Sequence, residues 1–148
     1  MIDKTDKKIL VVLQQDSRLS FRHIAKRVGV SVVTVINRME RMRKDGIIKK
    51  YSAMIDHEKL GYDVPVIIEI NTRQGKAAHV MDILKKEPNV FAVYDVTGNV
   101  EVEILAKFKN RTGLNNFIKR IQSYPEILRT RTRLILNIIK EEACGIKF

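Results

Sequence analysis

The chain has 148 residues, 45% of them apolar and 30% charged, which supports one large core or two small ones and excludes a disordered chain. With 28 Lys+Arg against 17 Asp+Glu the formal net charge is +11, which points to nucleic acid ahead of anionic membrane or acidic ligands as the partner. A single cysteine, Cys144, excludes an internal disulfide and a cysteine-cluster metal site, and no apolar run approaches the roughly 20 residues that span a bilayer.

The first residues, with acids at Asp3 and Asp6, do not read as a signal peptide, so a cytoplasmic protein is expected. Asp3 is a good N-cap and Asp6 stands three residues on, as in a capping box. Ile9, Leu10 and Leu13 then form an apolar stripe on a helix that ends near Asp16 and Ser17. Ser20 caps a second, short helix with Phe21, Ile24, Ala25 and Val28 inward, and Gly29 stops it. Ser31 caps a third helix running to about Lys44, with Gly46 beyond its end. Residues 47–52 and 53–55 read as β-like.

Two helices separated only by Val28-Gly29-Val30-Ser31 must cross steeply. Ala25 supplies the small residue at the contact, Gly29 the turn, and Val35 the apolar residue that packs back, which together make the helix-turn-helix spacing. The segment 18–50 holds ten basic residues against Glu40 and Asp45 alone. Such a charge run is often only a solvated face, but here it flanks a DNA-binding motif.

At 100° per residue Val35, Met39 and Met42 share the core side of the third helix. Val33, Thr34, Asn37, Glu40 and Arg41 lie opposite, with Ser31 and Val32 at the end that meets base edges. Asn37 can bond adenine in two places, Arg41 can reach guanine or phosphate, and Val33 with the Thr34 methyl can meet thymine methyls. Arg22, Lys26, Arg27, Arg38, Arg43 and Lys44 suit phosphates. Arg38 has a second reading, an internal salt bridge that locks the motif. Glu40 stands four residues before Lys44, the spacing of a surface ion pair.

The pattern changes near Gly61-Tyr62-Asp63, which sets a boundary between domains 1–62 and 63–148. Residues 64–71 read as a strand with Val64, Val66, Ile68 and Ile70 on one face. Residues 76–86 read as a helix, 90–97 as a strand, and Gly98-Asn99 as a hairpin turn into an alternating strand 100–108. A helix with Leu114, Phe117, Ile118 and Ile121 inward follows, then a long strand 128–139. The order βαββαβ gives a ferredoxin-like sheet with two helices on one face. On the last strand Leu128, Thr130, Thr132, Leu134, Leu136 and Ile138 make the cleaner inner face. Arg129, Arg131, Arg133, Ile135, Asn137 and Ile139 then lie on the open side, where pairing with Glu69, Glu101 and Glu103 or capture of an acidic ligand are both open. The apolar part of that face suggests a second copy of the chain. The fold class is therefore α+β: a helix-turn-helix, winged-helix-like domain followed by a ferredoxin-like domain.

Several motifs run through both halves: Ile2-Asp3-Lys4-Thr5-Asp6-Lys7-Lys8-Ile9-Leu10, Asp16-Ser17-Arg18, Ile24-Ala25 through Val30-Ser31, Arg38-Met39, Gly46-Ile47-Ile48-Lys49-Lys50-Tyr51, Lys59-Leu60-Gly61 and Val96-Thr97-Gly98. In this assembly the chain resembles the Lrp/AsnC family of transcription regulators over nearly its whole length. The resemblance implies double-stranded DNA as partner and a homodimer joined through the C-terminal sheets, often built further into tetramers or octamers. It also implies a small effector, commonly an amino acid, near the hairpin after the second strand. Gly98 keeps the family's glycine there, whereas Asn99 and Glu101 replace the usual acidic residue and aspartate, and Val100 and Val102 replace frequent aromatics.

Rival functions fit less well. An RNA-binding sheet would carry paired aromatics on its middle strands, and this chain is 6% aromatic. Catalysis would need converging groups, whereas His23, His57 and His79 are scattered and no metal spacing or glycine-rich phosphate loop occurs. No enzyme activity, metal or cofactor is expected. A non-specific architectural DNA-binding protein also agrees with the charge.

Overall fold

The computed structural model describes residues 1–141, so the sequence reading of Cys144 lies outside the described residues. The chain divides into two units, Met1–Met54 and Ile55–Lys140. The sequence reading puts the boundary between 62 and 63, eight residues beyond Met54 (62 − 54) and past the short 3-10 turn Glu58–Leu60.

The first unit holds α1 (Lys4–Gln15), α2 (Phe21–Val28) and α3 (Val32–Lys44). Each starts where a short polar side chain can satisfy an orphan helical N–H: Asp3 accepts from Asp6, Ser20 from His23 and Ser31 from Thr34. The capping box is complete, since the Asp6 carboxylate takes the Asp3 N–H in return at 2.9 Å. The core joins Ile9, Val12 and Leu13 to Ile24, Ala25, Val28, Val35, Met39, Met42 and Ile48. Phe21, expected inward, is 44% exposed. It occupies the first position of α2, beyond the reach of the stripe formed by Ile24, Ala25 and Val28.

The β-like stretches 47–52 and 53–55 form no strand. Strand propensity needs a neighbouring strand to complete its ladder, and every ladder in the described residues lies in the second unit. The segment instead leaves Ile47, Tyr51, Met54 and Ile55 exposed.

The second unit runs β1 (Val64–Thr72), α4 (Ala77–Leu84), β2 (Val90–Asp95), β3 (Val102–Phe108), α5 (Arg111–Gln122) and β4 (Ile127–Leu134). The strands form one antiparallel sheet in the order β2-β3-β1-β4, the ferredoxin-like arrangement. Alternation decides the faces. Val66, Ile68 and Ile70 of β1 and Val102, Ile104, Ala106 and Phe108 of β3 are buried under Val80 and Leu84 of α4 and Phe117 and Ile121 of α5. Each such Val, Ile, Leu or Phe side chain contributes roughly 1.5–3 kcal/mol by leaving water. Phe108 and Phe117 stack at a tilt with centroids 5.2 Å apart.

The last strand stops at Leu134, so residues 135–139 are not strand as expected, and Leu136 and Ile138 are exposed. Its inner face also starts differently. A bulge where Thr72 pairs with Ile127 and Asn71 with Arg129 leaves Leu128 over. Ile127 therefore enters the core and Leu128 is 59% exposed; Thr130, Thr132 and Leu134 lie opposite Ile70, Ile68 and Val66, but on this edge strand Leu134, expected inward, is 51% exposed. On the open face Arg133 meets Glu69 at 2.8 Å and Glu103 at 3.5 Å, so the cross-strand reading holds for that arginine. Arg129 and Arg131 have no ion pair among the described residues.

Candidate nucleic-acid interface

The turn between α2 and α3 follows from one backbone requirement. Gly29 has φ +78° and its N–H returns to the Ala25 carbonyl at 2.9 Å. No atom lies within 4 Å of a Cβ added there, so the left-handed conformation, not crowding, calls for glycine. Val30 donates to the same carbonyl at 3.1 Å, and Ser31 then restarts the helix. The tight exit fixes where α3 points.

With Val35, Met39 and Met42 buried, α3 turns Val32, Val33, Asn37, Glu40 and Arg41 to solvent. Val33 is 65% exposed, a high value for an aliphatic side chain next to a hydrophobic core. The hydroxyls of Ser31 and Thr34 are 2.8 Å apart, and Ser31 also accepts the Thr34 N–H at 3.1 Å. Both hydroxyls are thus engaged in the cap, and the uncommitted polar group nearest the start of α3 is Asn37. Arg22, Lys26 and Arg27 project from α2, exposed and with no ion pair among the described residues, as do Arg43 and Lys44 at the end of α3. Lys7, Lys8 and Arg27 rim a depression of about 390 Å³ floored by Val11, Val12 and Val28, which extends the positive surface to α1. His23 is exposed and bonds the Ser20 hydroxyl through Nδ1 at 2.9 Å. Glu40 and Lys44 are both exposed and form no ion pair, so the expected surface pair is absent.

Arg38 and Arg41 are tied to the start of α1. Arg38 Nη1 donates to Asp3 at 2.5 Å and to Asp6 at 2.9 Å, and Arg41 Nη2 donates to the other Asp6 oxygen at 2.5 Å. The internal salt bridge read for Arg38 is present. The Arg41 contact, and the identity of both acids, were missed. A signal existed: Asp6 lies on the apolar stripe with Ile9 and Leu13, and a carboxylate in a core stripe requires a cation or donors. Asp6 is fully buried, and burial alone would raise its pKa. The Asp3 N–H, the Arg38 guanidinium and the Arg41 charge outweigh that and hold it below the ordinary carboxylate value. Asp3 is lowered to about 2, chiefly by Arg38 and then by the Asp6 N–H.

In the second unit, Gly98, Asn99 and Glu101 lie in a six-residue connection, 96–101, and not in the tight two-residue hairpin expected. Strand pairing ends at Asp95 and Val102, and Val96 N–H closes the loop on the Glu101 carbonyl at 3.0 Å. Gly98 has φ +126°, open to glycine and strained for other residues. The loop is pinned to the end of β1: Glu101 Oε2 accepts the Thr72 N–H at 2.9 Å, and the Asn99 carbonyl accepts from Asn71 Nδ2 at 2.6 Å. Glu101 therefore satisfies a backbone donor that lies beyond the last β1–β3 pair, Ile70 with Val102. Among the described residues no cluster of His, Cys, Asp and Glu could hold a metal, and no helix is long and apolar enough to cross a membrane.

A capped helix-turn-helix joined to a βαββαβ domain defines a class of two-domain transcription regulator. The AsnC-type helix-turn-helix model matches residues 2–43 and the Lrp/AsnC ligand-binding domain model matches residues 65–143. The chain is 37% identical over 142 residues to an HTH-type transcriptional regulator of Pyrococcus abyssi, covering 96% of this chain and 97% of that one. It is 36% identical to the regulator FL11 of Pyrococcus horikoshii, covering 95% and 93%. Among solved structures it is similar to AsnC of E. coli, with TM-score 0.90, 29% identity and 99% of each chain covered. It is also similar to a Neisseria meningitidis transcriptional regulator in complex with L-Met, with TM-score 0.89, 25% identity, and 99% and 97% covered. The chain belongs to the Lrp/AsnC family of transcription regulators.

Proposed function

We propose that this regulator binds specific duplex DNA sites as a homodimer or larger homo-oligomer, in the cytoplasm, under the control of a small effector such as an amino acid. The observation that carries the reading is the outward face of α3: an apolar Val32-Val33 tip and Asn37, flanked by the unpaired cations of α2. Asn37 reads a base edge, Val33 meets a thymine methyl, and Arg22, Lys26 and Arg27 position the helix on phosphates. Dimer formation draws on the open sheet face, where Ile67, Ala92 and Leu105 lie among the charged pairs, and on exposed Phe91 and Tyr94 of β2. Two recognition helices then address half-sites about one DNA turn, ~34 Å, apart or a multiple of it. For an amino-acid effector, the loop 96–101 offers the Glu101 carboxylate to an ammonium group and backbone N–H groups to a carboxylate. The L-Met bound to the Neisseria relative supports that ligand class.

The test is selection from a random duplex pool at near-physiological salt, repeated with a panel of amino acids. An enriched inverted repeat is the expected result. Tight binding without enrichment under any condition would replace this reading with an architectural one. On the enriched site Asn37→Ala should lose about 1–3 kcal/mol and relax preference at one base pair. An equal loss on every sequence would reassign Asn37 to phosphate.

A further inference from the structure

Two of the four cations on α3 are already matched inside the protein. Arg38 and Arg41 meet Asp3 and Asp6, whereas Arg43 and Lys44 have no ion pair among the described residues. The two acids are not equivalent. Asp6 is enclosed, with one oxygen on Arg38 and the other shared by Arg41 and the Asp3 N–H. The Asp3 side chain is half exposed, with Oδ1 in the helix cap and Oδ2 on Arg38. The contact between Asp3 and Arg38 is therefore the edge of the cluster that solvent reaches. A DNA phosphate offers a guanidinium the same kind of charge-assisted hydrogen bond as a carboxylate does. Arg41 differs again: Asp6 holds it by Nη2 alone, and its remaining N–H groups have no partner among the described residues.

We propose that Asp3 is a specificity-determining residue that stands in for phosphate on Arg38, limiting the sequence-independent part of DNA affinity while Asp6 presents Arg41 outward. The inference rests on the DNA-binding reading above. A protein that finds one site among many gains by keeping backbone affinity low, because each phosphate it neutralises tightens binding to every sequence alike. Asp3 removes one cation from that count without removing the cation from the fold.

The experiment separates this role from simple capping, because asparagine caps helices as well as aspartate does. Asp3→Asn keeps the acceptor for the Asp6 N–H and removes only the charge facing Arg38. Full-length wild type, Asp3→Asn and the double variant Asp3→Asn/Arg38→Gln are titrated with a random-sequence duplex and with the selected site across a salt series. Asp3→Asn should bind the random duplex more tightly. Its log K against log salt slope should steepen by about 0.9 per DNA-bound chain, narrowing the ratio of specific to non-specific affinity. The double variant should return to the wild-type slope. An unchanged slope in Asp3→Asn overturns the proposal, as does a steepening that survives in the double variant. So does loss of the folded first unit at neutral pH, which would make Asp3 structural. Wild type that binds no duplex at all would overturn the DNA-binding reading together with this one.

Discussion

The two units of the chain hold themselves together by different chemistry. The second packs two helices on four strands around an apolar core, and Thr72 is the buried polar residue among its described residues. The first has three short helices and a smaller core, and it sets a fully buried carboxylate, Asp6, at the meeting of α1 and α3. Hydrophobic contacts are non-directional, so a sheet needs its hydrogen-bond ladders to fix geometry. A three-helix unit has no ladders between its elements. Asp6, with two arginines and a backbone N–H as partners, supplies direction there: it sets which residues of α3 face α1, and thereby which face solvent.

The largest expected effect lies on the apolar side of that comparison. Phe117 is 2% exposed and packs on Phe108 beneath the sheet. Phe117→Ala should cost the second unit about 3–5 kcal/mol, through lost transfer energy and the cavity left behind. Chemical denaturation followed through methyl signals of Ile104 should show the loss, while those of Met42 in the first unit hold their midpoint. Equal losses at both probes would mean that the units fold as one.

The next effect belongs to the charged side. Asp6→Asn should cost the first unit about 2 kcal/mol, below the range for a fully enclosed ion pair because Arg38 and Arg41 both reach water. Acid should act on the same cluster. Asp3, at about 2, and Asp6, also lowered, carry folded-state pKa values below the usual 3.8. Groups of that kind add stability in full above about pH 5 and lose it as pH falls through 4 toward 2. The first unit should therefore unfold in acid before the second, whose lowered carboxylates, Asp56 and Asp82, sit in exposed pairs with Lys59 and Lys85. A titration in which Ile104 and Met42 signals change together would break the comparison.

The same contrast governs how much of the molecule its sequence discloses. Periodicity of 3.6 and 2 found the elements of both units, because each exposes one face and buries the other. Ser20, Gly29 and Ser31 marked the helix-turn-helix residue by residue, since capping and positive φ restrict residue type locally. Non-local matters were hidden. Leu128 and Ile127 exchange roles because of a bulge opposite Thr72, and nothing in the alternation of β4 announces it. The stretch 47–55 has strand propensity but no strand beside it. The exposure of Val32, Val33, Asn37 and Arg41 on the outer side of α3 was legible from the helical wheel. The acids holding Arg38 and Arg41 lie more than thirty residues away in the chain and were not legible from it.

The smallest effect separates folding from recognition at one atom. Ser31 Oγ satisfies the Thr34 N–H at the start of α3, so Ser31→Ala should cost the first unit about 1 kcal/mol, the usual worth of a cap. That loss alone would not say whether Ser31 also lies against DNA. Ser31→Asp distinguishes the two. Aspartate caps as well as serine, and its charge favours the helix N-terminus, so thermal stability should return to that of wild type or exceed it slightly. If the N-terminus of α3 enters a groove between two phosphate backbones, the same charge must repel DNA, and affinity should fall on specific and random duplexes alike. Stability restored with binding intact would mean that α3 meets DNA by a later turn. Asn37 and Arg41 would then carry the contact without the Ser31–Val33 tip.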